Sequence, residues 1–249
     1  MMKAFLLQLQ FLTRVPVPFK LRFDEKTFAK GIIFSPVIGL IIGIFTGIVY
    51  YLVNITEKQM PAVILAVAAL VFITGGLHLD GLADTFDGIF SNRPKEKILE
   101  IMKDSRIGTN GTLSLIFIII AKIGLLLSLN DNNIIEYLFI MPVISRMNIV
   151  WTSGISSYAG KDGISAVIIK FTTHREIIIA TAITVLLSAA LIRFASILVI
   201  PAAILFAVLF TRYVQKKIGG ITGDIIGAII ELTEITILIS LLVFESLII

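Results

Sequence analysis

The chain has 249 residues, 57% of them apolar and 15% charged, with a formal net charge of +4. Soluble domains carry about 25% charged residues. A mean hydropathy of +1.00 therefore excludes an ordinary water-soluble globule, and the absence of cysteine excludes a disulfide framework, a thiolate zinc site and a cysteine nucleophile.

The opening stretch MMKAFLLQLQFLTRVPVP is apolar but short and lacks a small-residue cleavage site. It reads as mature protein rather than as a signal peptide. Residues 1–30 are expected to form an amphipathic interfacial segment, which Pro16 and Pro18 prevent from being one long helix. Residues 31–54 contain no Asp, Glu, Lys or Arg, and crossing a bilayer takes about 20 apolar residues. Runs of this kind give seven candidate spans, at 31–53, 61–79, 111–129, 134–153, 177–192, 194–211 and 221–248. The expected fold is all-α, a polytopic membrane helical bundle forming one integral domain over 1–249.

Orientation follows from the loop cations. Residues 1–30 carry Lys3, Arg14, Lys20, Arg22, Lys26 and Lys30; residues 80–110 carry Arg93, Lys95, Lys97, Lys103 and Arg106. The loop 154–176 adds Lys161, Lys170 and Arg175, and the loop 212–220 adds Arg212, Lys216 and Lys217. With seven spans these regions share one side, while the opposite connections carry only Lys58 and Arg193. The N terminus is therefore expected in the cytoplasm, with 80–110 as a cytoplasmic catalytic loop.

Span two runs into GGLHLDGLADTFDG, residues 75–88. Asp80, Asp84 and Asp87 recur at helical spacing, within roughly 60° of one another on one face. Like charges so spaced repel, and a divalent cation reverses that cost. Mg²⁺ favours one or two carboxylates plus substrate phosphates and water, so the three aspartates are the candidate metal ligands. A solvated acidic face is the bland alternative. His78 lies roughly 160–180° from Asp80 and Asp87 on a continuous helix and is expected to pack or hydrogen-bond instead.

After the cluster, Pro94 suits the start of a short surface helix, with Ile98, Leu99, Ile101 and Met102 as its apolar stripe. The sequence then reads KDSRIGTNG, residues 103–111. A Gly-bounded turn feeding a helix N terminus can cradle phosphate, which nominates Gly108 and Thr109. Arg106 can grip phosphate bidentately, and Asp104 can orient Arg106 or add a metal ligand. The last span opens with KKIGGITGD, residues 216–224, which brings Lys217 and Asp224 to the same side. Glu231 should lie roughly 15 Å into the membrane and needs a partner there. Lys122 and Arg146 lie at comparable depth, and Glu234 is the other candidate carboxylate.

These residues resemble a known family. LQFLTRVPVP from Leu9, GGLHLDGLADTFDG, LEIMKDSRIGTNG from Leu99 and GGITGDIIGAIIELTE from Gly219 are similar to segments of cobalamin synthases, the adenosylcobinamide-GDP ribazoletransferases, in the same order. The resemblance implies a Mg²⁺-dependent phosphotransferase of the inner membrane whose active site faces the cytoplasm. α-Ribazole or its 5′-phosphate would attack adenosylcobinamide-GDP, releasing GMP and forming adenosylcobalamin or its 5′-phosphate. It implies catalytic roles for Asp84, Asp104, Arg106 and Asp224. Substrate binding would fall to Arg106, Gly108, Thr109, Lys217 and Glu231, and metal binding to Asp80, Asp84 and Asp87. Expected partners are the two substrates and membrane lipid, with no nucleic acid and with a homo-oligomer left open.

Two rival readings remain at this level. Gly76-x₃-Asp80-x₃-Asp84 has the spacing of CDP-alcohol phosphotransferases, but the upstream Asp-Gly half of that signature is missing. A transporter would use Glu231, Arg146 and Lys122 along an ion path, yet the richest polar clusters sit at one membrane face.

Overall fold

The computed structural model describes residues 1–160 and 162–248; Lys161, one of the loop cations counted above, lies outside the described residues. The chain is helical almost throughout, and among the described residues there is no sheet. Tyr158 and Ile221 form one isolated parallel bridge.

Residues 1–30, expected at the interface, contain two short helices, α1 (Met2–Leu12) and α2 (Glu25–Lys30), separated by the stretch that holds Pro16 and Pro18. Asp24 starts α2 by accepting the Thr27 N–H at 2.8 Å, an N-cap. Then come α3 (Ser35–Asn54), α4 (Gln59–Thr74), α5 (Leu77–Ile89) and α6 (Lys95–Ile101). The helix expected after Pro94 is α6, with Pro94 as its N-cap. The rest is α7 (Thr109–Ser128), α8 (Ile134–Gly154), α9 (Ile164–Phe171), α10 (His174–Ile192), α11 (Ser196–Ile218) and α12 (Gly223–Ile248).

Among the described residues five helical stretches are long and apolar enough to cross a membrane, or six when α4 and α5 count as one broken span. One of the five, His174–Ile218, is 45 residues long and contains α10 and α11. It is interrupted at Arg193, whose φ is 46°, a left-handed value unusual for a non-glycine residue. Large apolar side chains stand exposed on these helices, among them Ile48, Phe117, Leu186 and Leu205. In water such a surface would aggregate; in hydrocarbon it is the solvated face.

The expected second span needs correction. A continuous helix over 61–79 does not form. Gly75 and Gly76 both take left-handed φ, 64° and 72°, which costs glycine little. Their N–H groups close the end of α4 onto Phe72 and Val71 carbonyls at 3.1 Å each. The chain turns by 88° there before α5 begins.

Helices α3 and α8 pack most extensively. Gly39, Gly43 and Gly47 recur every four residues on α3, and a Cβ added at Gly43 would lie 2.6 Å from the Phe139 carbonyl oxygen. One added at Gly39 would lie 2.3 Å from that of Pro142. Small residues at this spacing let helix backbones meet, and dispersion then holds them in lipid. Replacing Gly43 with leucine is expected to force the helices apart, at a cost of about 1–3 kcal/mol or more. A lowered melting temperature in detergent would register it; unchanged melting would remove this contact as a determinant of the fold.

Candidate functional site

The turn at Gly75–Gly76 decides where the acidic row goes. Because the bend precedes Leu77, α5 is continuous through the row, and Asp80 and Asp84 stay one turn apart on one face. Gly81 between them faces the other way, onto α12. A Cβ at Gly81 would lie 2.7 Å from the Asp224 carbonyl oxygen, and one at Gly227 would lie 3.2 Å from that of His78. Two glycines thus bring the backbones of α5 and α12 together and set Asp224 beside the row. Asp84 has Asp80, Asp224 and Asp87 as its charged neighbours.

Asp80 and Asp84 line a cavity of about 540 Å³ with Thr13, Arg14, Gly75, Gly76 and Ser105. Asp224 lines a second, of about 640 Å³, with Lys103, Tyr158, Asp162, Ser165 and Thr222. The wall of the second cavity exists because the Ala159 N–H donates to the Ile221 carbonyl at 2.9 Å and the Ile221 N–H donates to that of Ser157 at 2.8 Å. Burial, and then the nearby Asp224 and Asp162 carboxylates, push the Tyr158 phenol above its ordinary pKa, so it stays a hydrogen-bond donor at neutral pH. A third, apolar cavity of about 470 Å³ lies among Leu82, Phe86, Leu113, Phe117 and Ile235, on α5, α7 and α12.

Asp87 leaves the row. Its carboxylate accepts the Gly108 N–H at 2.6 Å and the Gly111 N–H at 2.8 Å. The N terminus of α7 is the anion cradle that the sequence suggested, and the anion it holds is Asp87. Unpaired N–H groups and the helix dipole favour a carboxylate there. Asp87 thus uses one lone pair of each carboxylate oxygen on the α7 amides, and the Gly108 N–H is engaged by that contact. Thr109 is exposed in the first turn of α7.

Arg106 is turned away as well. Its guanidinium donates to both oxygens of Asp104, from Nε at 3.0 and 3.2 Å and from Nη2 at 2.6 Å, and its side chain is 87% exposed. Those hydrogen bonds hold the Asp104 carboxyl down at about 2. The pair is a surface clasp outside the cavity. Lys217 donates to the Ile89 carbonyl at 3.1 Å and lies over the Phe90 and Tyr213 rings. It closes the C-terminal end of α5, a favourable place for a cation.

Glu231 is not presented to a ligand. It is 5% exposed, and Lys122 Nζ donates to it at 2.6 Å, as the depth argument allowed. The same Nζ lies 2.5 Å from Glu234, and Glu234 also holds Arg146. Arg146 Nη2 lies 3.2 Å from His78 Nδ1. A guanidinium only donates, so Nδ1 accepts and carries no proton. The expectation for His78 is met: it is 3% exposed and hydrogen-bonded away from the carboxylate face.

The described residues include no group of three His, Cys, Asp or Glu side chains close enough to form a ready-made metal cage. Asp80 and Asp84 supply two carboxylates to one cavity, a donor set that suits Mg²⁺ completed by phosphate oxygens and water. Sequence reasoning named Arg14 only as a loop cation and passed over Tyr158 altogether. Tyr158 carries no local signal, because its place depends on a bridge to a residue far along the chain.

Comparison with known proteins agrees with this arrangement of motifs. Residues 4–242 match the family described as cobalamin-5-phosphate synthase. A protein of Clostridium novyi named adenosylcobinamide-GDP ribazoletransferase is 38% identical over 246 residues, covering 98% of each chain. One of the same name from Acetivibrio thermocellus is 39% identical, over 98% of this chain and 99% of its own. Another, from Alkaliphilus oremlandii, is 39% identical over the full length of both. No solved structure matches the chain. With the match running through all four motif segments, the chain belongs to the cobalamin-5-phosphate synthase family.

Proposed function

We propose that this chain joins adenosylcobinamide-GDP to α-ribazole or α-ribazole 5′-phosphate, releasing GMP; its relatives carry the name adenosylcobinamide-GDP ribazoletransferase. The observation that carries the reading is the pair Asp80 and Asp84 lining one cavity, with Asp224, a charged neighbour of Asp84, lining the next. Phosphoryl transfer depends on positioning the two substrates and on charge neutralisation.

In this reading Asp80 and Asp84 hold Mg²⁺, which neutralises the diphosphate when bound. Asp224 stands on the acceptor side, where it orients the attacking hydroxyl and receives its proton. Because a 5′-phosphate survives in the product, the nucleophile is another hydroxyl of the ribose. Its oxygen bonds to the cobinamide-side phosphorus, the bond from that phosphorus to the GMP oxygen breaks, and GMP departs. Tyr158 and Lys103 wall the acceptor compartment. Asp104 and Arg106 shape the loop between α6 and α7 without touching substrate.

The same reading includes seven spans with the N terminus in the cytoplasm. Ile192, Arg193 and Ala195 share a cavity with Asn130, Asn133 and Glu245, at the far end of α7 and α12. The tie from Lys217 to Ile89 is at the carboxylate end. Both facts support α10 and α11 as two antiparallel spans turned at Arg193. The Lys- and Arg-rich loops then gather at the carboxylate end, which favours a cytoplasmic site in the cell membrane. Lipid contact and a possible homo-oligomer belong to the same proposal.

The test is direct. Purified protein in detergent, supplied with Mg²⁺, adenosylcobinamide-GDP and α-ribazole, is expected to release GMP stoichiometrically with corrinoid product. Absence of GMP release in protein that melts cooperatively would sink the reading.

A further inference from the structure

We infer that Arg14, rather than Arg106, is the guanidinium that grips the diphosphate of the donor substrate, and that Gly75 lacks a side chain so that Arg14 can lie there. The inference rests on the proposed function and adds a binding residue to it.

Arg14 follows the end of α1. Its backbone N–H donates to the Ile73 carbonyl at 2.7 Å, which ties the segment to the last turn of α4. Its side chain lies across Gly75. A Cβ built at Gly75 would meet Nε at 2.1 Å and both Cζ and Nη2 at 2.9 Å. The guanidinium therefore lies directly over Gly75 and would have to swing aside for a side chain there, and the left-handed φ of Gly75 disfavours any other residue as well.

Arg14 shares one cavity with Asp80, Asp84 and Ser105. Among the described residues it forms no ion pair within 4.0 Å. A guanidinium and two carboxylates facing one space without neutralising each other suit a ligand that needs both signs of charge. A diphosphate is such a ligand: its oxygens take a bidentate arginine on one side and a carboxylate-held divalent cation on the other. Arg106 lacks this setting, because Asp104 holds the Nε and Nη2 edge of its guanidinium and its side chain is not among those that line the cavity.

Three variants test the assignment: Arg14→Gln, Arg14→Lys and Gly75→Ala. Losing a charge-assisted phosphate contact should raise KM for adenosylcobinamide-GDP by about tenfold to a hundredfold. KM for α-ribazole should stay the same. Lysine should recover part of the loss, being a point charge without the fork. Gly75→Ala keeps the arginine but displaces it and should reproduce the donor-side defect. Inorganic pyrophosphate should inhibit the parent protein competitively with the donor, and weaken as an inhibitor of each variant. An unchanged donor KM, or equal losses for both substrates, in any variant that melts like the parent overturns the inference. If Arg14→Gln does not fold, Arg14→Lys decides by the same criterion. A parent protein that releases no GMP overturns the proposed function instead, so the two failures are distinguishable.

Discussion

Asp84→Asn is expected to lower the rate of GMP release by more than about a hundredfold, since even residues behind a metal ligand are worth about 10–100-fold. The side chain keeps its size and loses its charge. Asp84 is half-buried and has Asp80, Asp224 and Asp87 around it, so its charge is held against mutual repulsion. Two measurements separate a metal role from a merely structural one. Without Mg²⁺ the variant should melt at the same temperature as the parent or higher, because one repelling charge is gone. With Mg²⁺ the parent should gain melting temperature by mass action, and the variant should gain little. Retained turnover would take Asp84 out of the site, and retained Mg²⁺ stabilisation would move the metal elsewhere. Asp87→Asn should behave differently, since that carboxylate serves the α7 amides and its loss weakens a loop anchor rather than a metal contact.

That contrast marks how much of the molecule its sequence made readable. Charge-free runs made the helical, membrane-spanning character legible but not the count, since five or six stretches qualify, and the spacing of Asp80 and Asp84 put them on one helical face, because both signals are local. The depth of Glu231 narrows its partner to Lys122 or Arg146, and the packing of α12 on α7 selects Lys122. The fate of Asp87 was not readable, although both halves of the answer were present. The row suggested a ligand and the turn at Gly108 suggested an anion cradle, and only the packing of α5 on α7 joins the two. The glycine pair at 75–76 lies inside an apolar run read as one span, and only the packed structure shows the 88° turn there. Arg106 stands out in the sequence because it sits in a recognisable loop, while Asp104, two residues before it, is a short-range competitor for the same guanidinium. Arg14 reaches the cavity only through the contact of α1's end with the last turn of α4, a relation of residues sixty apart in sequence.

Glu234→Gln is expected to be the most destabilising single change in the membrane interior. Glu234 is fully buried and meets Lys122 and Arg146 at once, with Ser145 also donating to it at 3.2 Å. Two acids and two bases make the cluster neutral, and removing one carboxylate leaves an uncompensated cation out of reach of water. Breaking a buried pair on one side costs about 3–5 kcal/mol, which for a chain of this size is a fall in melting temperature of about 6–20 °C. Lys122→Met should be similarly harmful, because it strands Glu231. The double variant Lys122→Met with Glu231→Gln removes one charge of each sign, leaves Arg146 with Glu234, and should melt closer to the parent than Lys122→Met alone. Melting curves in detergent measure the coupling; a double variant no better than Lys122→Met would show that the charges act separately. The cluster also reaches the site. Arg146 holds His78, which lies two residues before Asp80 on α5. His78→Phe should therefore reduce turnover by loosening the orientation of the carboxylate row, with a smaller loss of stability than Glu234→Gln.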